Sequence, residues 1–336
     1  MVSISTLGQT LDQISRISSS QIQLDDLSRQ IATGRRADSF AGFESDVVNL
    51  QRLRADVSEI DGYLSNISIL EPRVEITQNI IEESIAQVEG VRDALTLRLQ
   101  ETSEFDITSI NEFATEALSL IQDFVNTELN GRFLLAGDDV TNQPYDNPSL
   151  LQSEIAGRIP GFLDGSTTPG DFLNSIATLT DTQLGYSATV QSSDNVFSRI
   201  DRGIEIDYTA RANSDAFRDV IGALGALSQL SFPTEGVDLA TEGDFFEVYN
   251  GLADQLTDGL NGLRSEFNAL ERDRVVIDDT KQKLEAELGL FLSESEGLEN
   301  VDPAESIVNF QSLQTQLEAS FQVTSIIAQT SLINFI

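Results

Sequence analysis

The stretch LQRLRADVSEIDGYLSNI, residues 50–67, sets Leu50, Leu53, Val57, Ile60, Leu64 and Ile67 at steps of three, four, three, four and three. So strict an alternation is the seam of a helix packed lengthwise on other helices, narrower than the apolar face of an ordinary globular helix. Pro72 should then kink or end that helix, because proline removes a backbone donor and crowds the preceding turn. Beyond it, Ile81, Ile85, Val88, Leu95 and Leu99 carry a second helical piece. Ile107, Ile110, Ala114, Ala117, Ile121 and Phe124 repeat the alternation, which predicts a helical hairpin. A matching long helix spans about residues 245–289, through Leu252, Leu256, Leu263, Phe267, Leu270, Ile277, Leu284 and Leu288.

The same periodicity reaches both chain ends. Ile4, Leu7, Leu11 and Ile14 step by three, four and three, and after a phase slip Ile17, Leu24, Leu27 and Ile31 continue the stripe. Near the other end Phe310, Leu313, Leu317, Phe321, Ala328, Leu332 and Phe335 lie close to one helical line, with Thr324 filling a gap. Both ends read as amphipathic helices. Gly34 closes the first and Ser39 is placed to cap a new start, while Asp302 and Pro303 punctuate before the last.

Charge separates these ends from the rest. The chain has 55 acidic and 20 basic residues, a net of -35, yet residues 1–40 and 306–336 together carry only -1. Like charge inside a desolvated contact is neither solvated nor screened, so two neutral ends on an acidic chain suit surfaces that must meet copies of themselves. One apolar stripe does not offset the ordering entropy of so long a helix. The ends are therefore expected to fold together as copies assemble, with the two stripes as the assembly interface and the acidic middle facing water.

Between the helical parts the pattern changes. Four of the seven prolines lie at positions 144–169, and helical periodicity lapses there. Ile200, Ile204, Ile206 and Tyr208 share one parity, the alternation of a half-buried strand, and YSATV at 186–190 and NVF at 195–197 read as neighbouring strands. SDAFRDVIGALGALSQL, residues 214–230, reads as a helix returning to the bundle. The chain is thus mainly α, with long coiled-coil-like helices from both ends and a small, mainly β outer domain inserted between them. Its parts are a terminal assembly domain (1–40 with 302–336), a helical bundle (41–144 with 211–301) and the β domain (145–210).

The residue types exclude much chemistry. Without His or Cys there is no thiolate or imidazole metal site, no Cys or Ser/His nucleophile and no disulfide. No calcium-loop order and no phosphate-cradling Lys motif is present, so no enzyme activity, metal or cofactor is expected. Glu82, Glu83 and Glu89 sit off the apolar stripe, as on a solvated helix face, and the Asn66 glycosylation triplet falls mid-helix. The acidic excess repels nucleic acid and anionic lipid. The first 20 residues lack a basic, apolar leader pattern, and eight of the last 18 residues are Ser, Thr, Gln or Asn, which argues against a tail anchor.

Local sequence then resembles a known family. LDDLSRQIATGRRADSF at 24–40 is similar to the flagellin signature of a helix ending in Leu-x-x-Gly before a basic pair, and QLEASFQVTSIIAQTSLINFI at 316–336 is similar to the flagellin C-terminus. LNGRFLLAGDDVTNQPYD at 129–146, with Asn130, Gly131, Arg132, Phe133, Ala136 and Gly137, resembles a segment of the hook-associated members that join hook to filament; Leu135 stands where they usually carry an aromatic residue. The resemblance implies a structural subunit of the bacterial flagellum, exported by the type III apparatus without a cleaved signal peptide and located outside the cell. The partners it implies are copies of itself, a neighbouring hook-associated protein, flagellin, and an export chaperone at the C-terminal segment. A filament flagellin is the nearest alternative reading, and an acidic secreted binding module a more distant one.

Overall fold

The structure is a computed structural model that describes residues 3–100, 108–232 and 238–333. In chain order it contains α1 (Ser3–Thr33), a 3₁₀ turn (Phe40–Asp46), α2 (Val47–Gln100), α3 (Thr108–Val125), β1 (Glu128–Leu129) and β2 (Arg132–Phe133). There follow α4 (Pro148–Leu163), α5 (Pro169–Ala177), α6 (Asp181–Leu184), α7 (Ala188–Ser192), β3 (Phe197–Asp201), β4 (Ile204–Asp207), α8 (Asp215–Gln229), α9 (Glu242–Glu299) and α10 (Pro303–Ile333). The fold is mainly α with a small β component, and its contacts divide it into two compact units, Met1–Gly62 with Leu284–Ile336, and Tyr63–Lys283.

The heptad seam behaves as its spacing requires. Leu50, Leu53, Ile60 and Ile67 are buried, as are Ile81, Val88 and Leu95 further along α2 and Ile110, Ala114, Ala117 and Ile121 on α3. Within the second unit, α2 and α9 run antiparallel, joined by Lys281 to Glu71 at 2.8 Å, Gln78 to Glu271 at 2.9 Å, and Arg264 to Glu89. Pro72 does not end the helix, since α2 continues from Val47 to Gln100. It lies on the exposed side, where the carbonyl deprived of its partner faces water at little cost. Asn66 donates from its amide to the Arg199 carbonyl at 2.9 Å.

The insert departs from the expected mainly β domain. Residues 148–192 form four short helices, and the strands there are confined to the β3–β4 hairpin. Three prolines that suggested broken structure are used differently. Pro148 and Pro169 open α4 and α5, where a missing N–H is unneeded and a fixed φ helps, and Pro160 sits within α4. YSATV is likewise no strand. Ser187 caps α7 by accepting from the Val190 N–H at 3.4 Å.

These helices share a core with α8 and the start of α9. Phe162 packs on Phe172 at 5.2 Å and on Phe245 at 5.1 Å, and Phe245 continues to Tyr249 at 5.9 Å. Helix α8 is buried at every position from Val220 to Leu227, which explains a run too apolar for a surface helix. Phe245→Ala should therefore cost about 3–5 kcal/mol in denaturant unfolding, because it opens a cavity at the junction of that ring cluster.

One buried acid makes a second prediction. Glu266 on α9 lies beside Ser214 at the start of α8, its Oε2 without a hydrogen bond; burial raises its carboxyl above the ordinary range, the Ser214 hydroxyl opposes this, and Asp215 adds to the rise. The folded state then holds this proton more tightly than the unfolded state. Stability from this group is fully present in acid and is lost as pH rises from the ordinary carboxylate range through the raised value. Glu266→Gln should raise the melting temperature at pH 7 and leave it nearly unchanged near pH 4.

Candidate assembly interface

Helices α1 and α10 pack along each other in the first unit. Their antiparallel direction is set where they enter. Gly34 takes a left-handed φ of 70° and closes α1, its N–H donating to the Gln30 carbonyl at 2.7 Å. The Arg36 N–H then donates to the Glu299 carbonyl at 2.7 Å, and the Val301 N–H donates to the Gly34 carbonyl at 3.0 Å. These two bonds tie the end of α1 to the start of α10.

Side chains brace the same corner. Arg54 donates to Glu299 Oε1 at 2.7 Å and stacks over Phe40 at 5.0 Å, while Arg36 reaches Asp46 at 2.8 Å. Beneath them Ala37, Phe43 and Leu50 form a small core with Val47 against it. Ser39 occupies the expected N-cap of the following turn, but its side chain makes no cap bond. Arg54 and Glu299 were not among the sequence candidates. The available signal was their place on helices α2 and α9, opposite charges flanking two apolar seams.

Along the shared face the half-buried positions of α1 are Gln13, Ile17, Ser20, Leu24, Leu27 and Ile31. Those of α10 are Phe310, Leu313, Leu317, Ser320 and Thr324, following the buried Ser306. Each series keeps the three-and-four alternation of a coiled-coil seam, yet none of the apolar members is fully buried. A surface groove of Gln23, Asp26, Leu27, Gln30, Asn309, Ser312, Leu313 and Gln316 runs between the two helices. One partner helix covers one side of each stripe.

The other sides stay open. Leu11 is 59% exposed and Ile14 54%, with Ile22 beside them in sequence, so the slip between Ile14 and Ile17 carries the stripe from the outer face to the shared one. Phe321, expected on the line with Leu317, is 46% exposed instead, because the seam steps to Ser320. Ile307, Val308, Val323 and Ile326 extend the exposed apolar surface of α10. Ile4, Leu7, Ala328 and Leu332 belong to α1 and α10, their side chains lying outside the described set, and Phe335 lies outside the described residues. Among the described residues no helix is long and apolar enough to cross a membrane.

The diagnostic segment lies in the second unit and is a tight hairpin. Asn130 and Gly131 have φ of 53° and 78°, the paired positive values of a two-residue turn, and join β1 to β2 in the register Glu128 to Phe133 and Leu129 to Arg132. Ala136 is buried, and Gly137 at φ 70° has no room for a side chain, since a Cβ there would stand 2.4 Å from the Ser193 Oγ.

Residues 251–336 match the family described as bacterial flagellin C-terminal helical region, which bears out the flagellin resemblance of the chain end. A candidate flagellar hook-associated protein of Vibrio parahaemolyticus aligns in structure at a TM-score of 0.42 and 12% identity, covering 72% of this chain and 96% of its own. FlgL of Bacillus cereus aligns at 0.41 and 13%, covering 76% and 99%. Both scores lie below 0.5 and carry no weight for function. By sequence the chain has no match among curated proteins.

The two faces of α10 predict different losses. Phe321→Glu, on the exposed face, should shift the monomer's unfolding free energy by less than about 0.5 kcal/mol while blocking self-association. Leu24→Ala, on the shared face of α1, should instead loosen the α1–α10 pair, read as faster proteolysis of the monomer.

Proposed function

We infer that this chain, which carries the flagellin C-terminal helical region, is a structural subunit of the bacterial flagellum that assembles through its terminal helices. The observation that carries this reading is the pair α1 and α10, packed on one side, apolar on the other and low in net charge. Copies arranged around an axis would cover the faces left open by Leu11, Ile14, Phe321 and Ile326. The acidic remainder would stay at larger radius, where repulsion between copies is screened.

Within that class the proposed role is a hook–filament junction protein, a short assembly with a neighbouring hook-associated protein on one side and flagellin on the other. The Asn130 to Gly137 segment favours it by resemblance. The matched flagellin C-terminal helical region is also what a filament subunit would carry, and filament subunit is the second reading. Export through the type III apparatus without a cleaved signal, and a chaperone on the C-terminal helix before secretion, belong to the same proposal. So does the division into terminal (1–40 with 302–336), bundle and outer parts.

Electron microscopy of the purified protein, seeded and unseeded, separates the readings. A junction subunit gives rings or short tubes, a filament subunit grows long filaments, and a chain that stays monomeric under all conditions refutes both. Deletion of residues 317–336 should leave a folded core with unchanged far-UV cooperativity and no assembly; motile cells carrying that deletion would contradict the assignment.

A further inference from the structure

Asparagine stands directly before glycine at residues 130–131, 250–251 and 261–262. Such a pair carries an intrinsic reaction. Because glycine has no side chain, its backbone nitrogen meets the preceding asparagine's side-chain carbonyl carbon without hindrance. The backbone must still bring that nitrogen round to the side chain, and the fold decides where it does so.

Two of the pairs lie inside α9, where helical geometry holds the nitrogen away and commits its proton to the hydrogen-bond ladder. The Asn250 amide also donates to the Phe246 carbonyl at 2.6 Å, and a Cβ on Gly251 would collide with Leu173. A Cβ on Gly262 would stand 2.7 Å from that of Ala216, so α9 is held closely against α8 there. Neither pair has freedom to change its backbone.

The third pair is placed differently. Asn130 and Gly131 are exposed and form the turn between β1 and β2, strands of two residues each. The φ of 53° at Asn130 is shared by both favoured hairpin turns, which differ by a flip of the peptide between the central residues. In the flipped form the Gly131 nitrogen eclipses the Asn130 Cβ, the arrangement of a five-membered ring. Gly131 accepts either sign of φ, and a ladder of two pairs holds its turn weakly, so the flip is accessible without unfolding.

We propose that Asn130 is a site of spontaneous modification, converting from amide to acid in the folded protein while Asn250 and Asn261 are spared. The Gly131 nitrogen bonds to the Asn130 Cγ and gives up its proton. The bond from Cγ to the side-chain nitrogen breaks, and ammonia leaves with that proton. Water then opens the cyclic imide at one carbonyl or the other, giving aspartate or isoaspartate with no change of oxidation state. Aspartate adds a negative charge near Glu128, whose Oε1 lies 4.0 Å from the place of a Gly131 Cβ. Isoaspartate lengthens the backbone of a two-residue turn, so the register of Glu128 with Phe133 and Leu129 with Arg132 no longer closes. The inference is independent of the self-assembly reading.

Peptide mapping by mass spectrometry tests it on the full-length folded protein, held at mildly alkaline pH and digested in acid. Asn130 should convert at least about tenfold faster than Asn250 or Asn261, with isoaspartate among its products. In urea the three rates should draw within about threefold of one another, because the helix no longer protects its pairs. Gly131→Ala, read in urea so that strain in the turn does not enter, should slow conversion at Asn130 about tenfold and leave the other two unchanged. Equal rates at the three sites in the folded protein, or an intact Asn130, would overturn the proposal. Aspartate formed without isoaspartate, or no slowing by Gly131→Ala, would overturn attack by the Gly131 nitrogen and the proposal with it.

Discussion

The constraint on which this molecule turns is that each terminal helix has one covered side and apolar residues on another. A helix of the length of α1 or α10 loses more conformational entropy than a single seam of half-buried side chains returns, so its stability must come from packing on further surfaces. Among the described residues the extensive packing of α1 and α10 is on each other. Neutrality of these ends follows from the same constraint. A contact made by many identical faces would multiply any charge it held, and residues 1–40 and 306–336 together carry only -1.

The corner at Gly34 and Glu299 makes the arrangement directional. A left-handed glycine, two backbone hydrogen bonds and the Arg54–Glu299 pair fix where α1 ends and α10 begins. The exposed faces on the two helices therefore present in a defined register. The pair itself is partly exposed, and its value lies in geometry more than in energy, since such surface ion pairs stabilise little. The small core of Ala37, Phe43 and Leu50 supplies the packing that holds the corner in place.

Much of this was legible in the sequence because heptad spacing is a strong and local signal. Most predicted seam positions of α2, α3 and α9 are buried while Val57, Leu64, Phe124 and Phe267 are half-buried, and the Asn-Gly turn at 130–131 follows from the positive φ that few residues accept. The insert was misread for an equally physical reason. Proline means a break inside a helix and a start at its first position, and which applies depends on neighbours that spacing alone does not reveal. Leu11, Ile14 and Phe321 show a further limit: periodicity identifies an apolar face, but a helix apolar on two faces needs coordinates to say which is already covered.

The central claim is that assembly, and not the isolated chain, completes the burial of α1 and α10. Amide hydrogen exchange on the dilute monomer and on the assembled protein tests it most directly. The account predicts fast exchange in both terminal helices of the monomer, slow exchange in α8 and the buried parts of α2 and α9, and strong new protection of α1 and α10 in the assembly. Terminal helices as protected in the dilute monomer as α8 would contradict it.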